Sequence, residues 1–296
     1  MVLIWHIVSN PANPPKGEIM LSAEQHSVQH EIIKLLRVDA SFDPAAEVER
    51  RTHFLADYLI STKRSTLVLG ISGGVDSLVG GLLSQRAVNQ VRAQGAKANF
   101  VAMRLPYGEQ RDEHDAIACL ETIKPDSIIT VNVQPASDAM LAMLQQSDVS
   151  FRDAAHRDFI LGNIKARQRM IAQYAVAGAY GGLVVGTDHA AEALMGFFTK
   201  FGDGAADITP LAGLNKRRVR ALAASMGAPD ALVCKVPTAD LESLSPLKPD
   251  EDAFGVKYED IDNFLEGKDV SEEAFEIIVR TYRNSAHKRA QPVAPL

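Results

Sequence analysis

Apolar residues along the chain follow two alternating spacings, and this alternation predicts strands and helices in turn. Short apolar runs predict buried strands at 66–71, 98–103, 127–133 and 183–186. Apolar residues three and four positions apart predict helices at 22–36, 43–60, 78–91, 115–123, 137–146, 158–177, 215–226, 258–265 and 271–287. Strands that alternate with helices are typical of βαβ units. We therefore predict an α/β fold, a doubly wound, mostly parallel sheet with helices on both faces.

The two ends of the pattern set the predicted domain organisation. Residues 1–20 combine a short apolar stretch with Pro11, Pro14 and Pro15, and no basic side chain precedes that stretch. This is a poor signal peptide, so we predict a disordered extension at 1–20 and a single domain at 21–296. The longest uncharged run, 170–187, is rich in Ala and Gly, which indicates a buried segment and no membrane partner.

Charge and cysteine usage narrow the function classes. The 296 residues include 31 basic and 37 acidic side chains, for a net charge of −6. Nucleic-acid binders usually carry a basic excess, so no nucleic-acid partner is expected. Cys119 and Cys234, the two cysteines of the sequence, are far apart and form neither a disulfide framework nor a C-x-x-C pair. A reduced, cytoplasmic setting fits this composition.

The stretch TLVLGISGGVDS at 66–77 carries the strongest chemical signal. An apolar strand meets Ser72-Gly73-Gly74, and an apolar helical pattern follows. Glycines let backbone N–H groups approach a ligand closely, and N–H groups that converge at a helix N-terminus bind anions such as phosphate. A carboxylate at Asp76 then implies a bridging Mg²⁺. The alternative is an ordinary strand–turn–helix in which Ser72 or Asp76 caps the helix.

Three further loops are polar where they follow predicted strands or helices. RLPYGEQ follows the second strand, and GTDHAAE follows the fourth, so that Glu192 could share a cation with Asp76. Helix capping by Thr187 and Asp188, and a solvated helix face for Glu192, are the simpler alternatives. The loop at 197–210 has three aromatic residues and predicts a lid, or else a loop pinned to the core by its Phe residues.

Taken together, seven segments resemble one enzyme family. SGGVDS resembles the loop of ATP pyrophosphatases, which have a Rossmann-like fold of the adenine nucleotide alpha hydrolase type. SGGVDS, RLPYGEQ, GNIKARQRM, GTDHAAEALMGFFTKFGDGAAD, LNKR, KVPTADLE and AHKR occur in the order typical of bacterial ammonia-dependent NAD synthetases. The resemblance covers about 22–289. It implies a homodimer that converts deamido-NAD, ATP and ammonia into NAD, AMP and pyrophosphate.

The resemblance also implies roles for individual residues. Asp76 and Glu192 would hold Mg²⁺, while Asp203, at the ammonia site, and Lys200 would act in catalysis. The residues implied to contact the co-substrate ATP are Gly70, Ile71, Ser72, Gly73, Gly74, Val75, Asp76, Ser77, Arg104, Gln110, Thr187, Lys216 and Thr238. Those implied to contact deamido-NAD are Arg167, Lys200, Asp207, His287 and Lys288.

Three positions depart from the family pattern, and two other functions stay open. Leu161 stands where many relatives have Arg, Ala205 replaces a frequent Gly, and Ala286 replaces a Glu found in some relatives. Another ATP pyrophosphatase, such as an amidotransferase synthetase subunit or a tRNA-thiolating enzyme, is one alternative, although thiolation calls for paired cysteines and a basic face. A non-catalytic nucleotide-binding module is the other. Neither cysteine has a nucleophile-like context, so we expect free ammonia as the nitrogen donor.

Overall fold

The structure, a computed structural model, describes residues 21–109, 113–239 and 248–295. The predicted extension at 1–20 lies outside the described residues. Four parallel strands form the central sheet, and two very short strands form a separate antiparallel pair. The strands are β1 Thr66–Gly70, β2 Asn99–Arg104, β3 Ser127–Thr130, β4 Gly182–Val184, β5 Thr238–Ala239 and β6 Lys248–Pro249.

Helices connect and cover these strands. They are α1 Ala23–Leu35, α2 Pro44–Ser61, α3 Val75–Ala93, α4 Glu113–Ile123, α5 Gln134–Gln146, α6 Ala154–Ala179, α7 Ala190–Met195, α8 Lys216–Ser225, α9 Asp230–Val233, α10 Asp250–Phe254, α11 Tyr258–Leu265, α12 Glu272–Asn284 and α13 Ala286–Arg289. Local signals set their starts: Ser22 and Gln25 form a capping box at α1, and Asp43 caps α2 ahead of Pro44. None of the described helices combines the length and apolar character needed to cross a membrane.

The central strand β1 is buried on both faces, which explains its unbroken apolar run. Leu67 and Leu69 pack into a core formed with α2, α3 and α8, whereas Val68 packs on the opposite face with Met103 and with Ala177 of α6. The predicted doubly wound parallel sheet with helices on both faces is therefore confirmed. A further apolar cluster joins α1, α7, α11 and α12 beside the sheet.

The strand order β3-β2-β1-β4 determines where a ligand can bind. The chain moves outward from β1 through β2 to β3, then returns to place β4 on the other side of β1. Beyond the carboxyl ends of β1 and β4, the two windings of the chain diverge and leave a crevice, the usual ligand site in such sheets. The loop that contains Ser72-Gly73-Gly74 lies at this switch point.

Several predicted boundaries differ from the structure. The third strand ends at Thr130 because α5 begins four residues later, at Gln134. The last predicted helix is interrupted at Ser285, which is the C-cap of α12 and precedes the short helix α13. The pair β5–β6 has no signal in the sequence pattern, since each of its strands has only two residues.

Candidate active site

A cavity of about 460 Å³ lies beyond the carboxyl ends of β1 and β4. Its walls come from the loop after β1, from α6, from 196–205 and from 235–238. This volume suits a small-molecule ligand. The sequence-predicted site residues that line it are Gly70, Ile71, Ser72, Gly74, Val75, Asp76, Ser77, Thr187, Glu192, Asp203, Lys216, Thr238 and Lys288.

The loop after β1 turns sharply at Gly73. Its φ of +87° lies in the left-handed region, and an added Cβ would come within 2.9 Å of the backbone nitrogen of Ala116. Only glycine fits there. Gly74 is the N-cap of α3, and no side chain in the described part of the chain caps it. The alternative of Ser72 or Asp76 as the cap is therefore wrong, and the first-turn amides of α3 face the cavity region.

Asp76 lies at the centre of a cluster of charged groups. Its Oδ2 accepts a 2.8 Å hydrogen bond from Nζ of Lys216, and its Oδ1 lies 3.4 Å from Nε2 of His189. The same His189 nitrogen lies 3.7 Å from Oε1 of Glu192. The sequence predicted that Glu192 could share a cation with Asp76 if their two strands were neighbours, and β1 and β4 are neighbouring strands.

The pKa values in this cluster shift in opposite directions. Burial would raise the pKa of Asp76, but the charge of Lys216, and then His189, lowers it overall. Burial, followed by the charge of Asp76, raises the pKa of Glu192 well above its usual range. Burial lowers the pKa of His189, and the charge of Asp76 opposes that shift. Two carboxyls this close favour having one ionised at a time unless a cation joins them.

The donor atoms in this cluster suit a divalent cation. Ligand atoms of Asp76, His189 and Glu192 lie within 4.8 Å of one another. Oδ1 of Asp76 and Nε2 of His189 are buried without a hydrogen-bond partner among the described residues. A buried carboxylate oxygen with no partner is unfavourable by itself and is a natural cation ligand. The residues therefore fit Mg²⁺, with Asp76 and Glu192 as the oxygen ligands.

Lys216 is held rigidly, by residues that sequence reasoning missed. Asn215 caps α8, and the carboxylate of Asp262 accepts hydrogen bonds from the backbone N–H groups of Lys216 and Arg217, both at 2.9 Å. The Lys216 side chain is only 2% exposed, and its ammonium lies 5.2 Å from the ring centroid of Tyr258. No motif points to Asp262, because it reaches this position from α11, a distant helix.

The segment 197–210 forms one wall of the cavity. Phe197 packs edge-on against Phe254, with ring centroids 4.7 Å apart, and Oδ1 of Asp203 accepts the N–H of Thr199 at 2.9 Å. Phe197 thus anchors the segment to the core, which agrees with the expectation of a loop pinned by its Phe residues. The lid interpretation stays a prediction.

Two carboxyl groups at or near this wall have raised pKa values. Asp203 is an exposed residue, but desolvation by the neighbouring protein groups raises the pKa of its carboxyl. The hydrogen bond from the N–H of Thr199, and then the charges of Arg169 and Lys288, oppose that shift. Burial, with the charge of Asp203, raises the pKa of Asp188 to about 7. Lys288 donates to the carbonyls of Gly196 and Phe198, which ties the C-terminal region to the same wall.

Other predicted substrate residues form a separate group outside the cavity wall. The Lys200 ammonium donates to the carbonyls of His287 at 2.6 Å and Ala290 at 3.1 Å, and Arg167 donates to the carbonyl of Lys200. Asp207 is not among them. Its Oδ2 accepts the N–H of Val184 at 2.7 Å and completes the end of β4.

Two predicted ATP contacts have other surroundings. Arg104 is 5% exposed, does not line the cavity, and pairs with both carboxylate oxygens of Glu113. Gln110 lies outside the described residues.

Of the three departures from the family pattern, Leu161 is buried with Leu141 between α5 and α6, and Ala205 lines the cavity. Ala286 begins α13.

Sequence reasoning missed the cavity residues of α6, among them Gln173 and Arg169. Oε1 of Gln173 accepts the N–H of Gly70 at 2.8 Å, so this side chain holds the strand end at which the phosphate loop begins. Arg169, one helical turn earlier, donates to the carbonyl of Leu105 at 3.0 Å. A signal for Gln173 was present, because it is the amide that interrupts the otherwise apolar run at 170–187.

The switch-point cavity, its glycine loop and the facing carboxylates define a nucleotide-binding α/β protein of the adenine nucleotide alpha hydrolase type. The chain belongs to the NAD synthase family, whose model matches residues 47–292. It is 63% identical to the NH(3)-dependent NAD(+) synthetase of Streptomyces coelicolor over 269 residues, which cover 91% of this chain and 98% of that protein. The corresponding protein of Burkholderia lata is 59% identical and covers 92% and 97% of the two chains.

Solved structures agree with this assignment. The NAD+ synthetase of Burkholderia pseudomallei superposes with a TM-score of 0.79 at 54% identity and covers 90% of this chain and 98% of its own. An NMN synthetase from Francisella tularensis superposes with a TM-score of 0.75 at 36% identity and covers 86% and 99%. The predicted family and fold type are both confirmed.

Proposed function

We propose that this chain is an ammonia-dependent NAD synthetase, a ligase that amidates deamido-NAD with ATP and releases AMP and pyrophosphate. The observation that carries the proposal is the meeting of the glycine loop, Asp76 and Glu192 in one cavity of a NAD synthase family member. An anion-binding turn and a pair of carboxylates suited to a cation are what a polyphosphate substrate requires.

The chemistry explains why ATP is needed. A nicotinate carboxylate is anionic and resonance-stabilised, so ammonia does not attack it directly. One carboxylate oxygen attacks the α-phosphorus of ATP, and pyrophosphate leaves. Ammonia then attacks the activated carbonyl carbon, and AMP departs with the oxygen that formed the acyl bond. In this two-step reaction, the positioning of the substrates and the stabilisation of charge supply the rate acceleration. No nucleophilic side chain is required.

The phosphates of ATP would bind at the loop and at Lys216. The amides at the start of α3 donate to phosphate oxygens, and the Lys216 ammonium, now on Asp76, stabilises the charge of the departing pyrophosphate. Magnesium held by Asp76 and Glu192 would supply further stabilisation of phosphate charge. Thr187 and Thr238, which both line the cavity, offer hydroxyls to the nucleotide.

Asp203 is the proposed proton acceptor for ammonia. Its raised pKa makes it a better base than an ordinary carboxylate near neutral pH. It lines the cavity on the wall that also presents Lys288.

For deamido-NAD we propose Arg167, Lys200, His287 and Lys288 as binding residues. We propose that Asp207 contributes to the deamido-NAD site indirectly, because its carboxylate holds the end of β4.

We also propose a homodimer that forms through the edge strand β3 and the helices beside it. Apolar side chains are unusually exposed there, among them Ile128 at 53%, Met143 at 52% and Phe159 at 52%. Large exposed apolar patches mark interaction sites, and an unpaired edge strand needs a cover. Sedimentation would show a dimer for the native chain and a monomer for Met143→Glu.

We further propose a cytoplasmic location, where thiols such as exposed Cys234 stay reduced.

The test of the reaction is a product assay with competing substrates. The purified chain is incubated with ATP, Mg²⁺ and ammonium together with deamido-NAD or nicotinate mononucleotide. NAD and AMP formed one for one, with deamido-NAD strongly preferred, is the expected result. Preference for the mononucleotide would indicate an NMN synthetase. ATP binding without turnover would indicate a non-catalytic module, and use of another acid would indicate another ATP pyrophosphatase.

A further inference from the structure

Lys235 lies against the phosphate loop. Its ammonium donates to the carbonyl oxygen of Gly73 at 3.2 Å and lies 2.5 Å from Oδ2 of Asp115. Both side chains are about four-fifths buried, with exposures of 21% for Lys235 and 22% for Asp115. Lys235 also lines the cavity. A second lysine therefore reaches the loop by a route different from that of Lys216, which contacts Asp76.

The backbone explains why these groups meet. Gly73 packs directly against the first turn of α4, where an added Cβ would lie 3.0 Å from Cβ of Asp115. The segment after α9 brings Lys235 to the same place. Oδ1 of Asp115 also has His114 at 3.1 Å. The Lys235 ammonium is thus held by a carboxylate and a carbonyl at the edge of an anion-binding turn.

An ammonium in this position has two possible roles. In the first role it tethers α4 to the segment after α9, and only the ion pair matters. Alternatively it serves the anion on the loop, since a lysine stem is flexible and a polyphosphate carries more negative charge than one carboxylate. Charge-assisted hydrogen bonds to phosphate oxygens are among the strongest available to lysine. The position of Lys235 in the cavity wall favours the second role.

We propose that Lys235 is a second phosphate-binding lysine, which exchanges Asp115 for the terminal phosphates of ATP and for pyrophosphate as it leaves. Asp115 holds the ammonium beside the loop until the anion arrives. This inference rests on the proposed function, because it assumes that the loop binds ATP. It adds a specific residue and a specific ligand group, the pyrophosphate portion of the nucleotide.

The test measures binding of magnesium pyrophosphate by calorimetry to the native chain, Lys235→Met, Lys235→Arg and Asp115→Asn. Lys235→Met and Asp115→Asn remove the same ion pair, but only the first removes the cation. We expect Lys235→Met to weaken binding about tenfold or more, Lys235→Arg to keep most of it, and Asp115→Asn to bind as tightly as the native chain or more tightly. Thermal unfolding checks that each variant is folded.

The outcomes separate the two roles. Equal weakening in Lys235→Met and Asp115→Asn would make the pair a structural tether and overturn the inference, as would unchanged binding in Lys235→Met. If Lys235→Met does not fold, binding by Asp115→Asn that is as tight as that of the native chain or tighter supports the inference, and weaker binding overturns it. A native chain that does not bind magnesium pyrophosphate would instead contradict the proposed function of the loop.

Discussion

The Lys216 ammonium lies 2.8 Å from Oδ2 of Asp76, and the two side chains are only 2% and 19% exposed. Burial would lower the pKa of Lys216, but Asp76 and then Glu192 raise it overall. Without a ligand, the lysine therefore neutralises a carboxylate that the proposed reaction assigns to magnesium. This pairing links the stability of the ligand-free protein to its binding of nucleotide.

Removing one member of this pair should cost more stability than removing both. Lys216→Met leaves the Asp76 carboxylate buried without its cation, so we expect a loss of about 3 kcal/mol in the free energy of unfolding at pH 7. The double variant Lys216→Met with Asp76→Asn should recover part of that loss. Urea unfolding of both variants and of Asp76→Asn measures the coupling. Additive effects would contradict the ion pair.

Glu192→Gln should weaken the magnesium binding that supports nucleotide binding. The amide keeps the size of the side chain but removes the charge, so the magnesium concentration needed for half-maximal ATP binding should rise about tenfold or more. Calorimetric titration of ATP at several magnesium concentrations measures this. Glu121→Gln on α4, an exposed glutamate, is the matched control and should behave like the native chain. An unchanged magnesium requirement in Glu192→Gln would remove it as a ligand.

Lys200→Met should affect deamido-NAD far more than ATP. The Lys200 ammonium binds the carbonyls of His287 and Ala290, outside the wall that holds the phosphate loop. We expect the KM for deamido-NAD to rise about tenfold, because that substrate alone loses a charged contact. The KM for ATP should change less than threefold. Lys268→Met, at an exposed ion pair, is the control. Equal losses for both substrates would oppose the assignment.

Asp126 gives a prediction about stability and pH. Its carboxylate binds both terminal nitrogens of Arg92 at 2.9 and 2.8 Å and accepts the N–H of Phe100 at 2.8 Å. Burial alone would raise the pKa of Asp126, but these hydrogen bonds lower it overall. A lowered folded-state pKa gives stability above the unfolded pKa of about 4, and that stability is lost as pH falls through the folded value.

Asp126→Asn should therefore lower the free energy of unfolding by about 1–2 kcal/mol at pH 7. The difference from the native chain should shrink steadily below about pH 4, as the native carboxyl becomes protonated. Chemical unfolding at a series of pH values measures it. A difference that stays constant down to pH 2 would mean that the charge of Asp126 contributes nothing.

Local signals explain most of the fold that the sequence predicted. The unbroken apolar run of β1 and the caps at Ser22 and Asp43 act within a few residues, so the order of strands and helices could be read directly. The ends of elements were less predictable. α12 ends at its C-cap Ser285 although the predicted helix continues to 287, and periodicity carries no trace of that break.

The candidate site was predictable where one motif contains the chemistry. Asp76 lies in its own loop, and Glu192 follows the neighbouring strand, so their proximity followed from sheet order. Asp262, Lys235 and His189 were missed as parts of the site. Asp262 reaches Lys216 and Lys235 reaches the glycine loop from distant elements, and no pattern in the sequence shows that the His189 ring is buried between two carboxylates.

The proposed reaction depends on the nicotinate carboxylate attacking the α-phosphorus of ATP in this cavity. The most direct test uses deamido-NAD with ¹⁸O in that carboxylate and follows the label by mass spectrometry. We predict one ¹⁸O atom in the phosphate of AMP for each NAD formed. Label that appears in pyrophosphate, or unlabelled AMP formed alongside NAD, would contradict the adenylated intermediate and with it the proposed role of the loop.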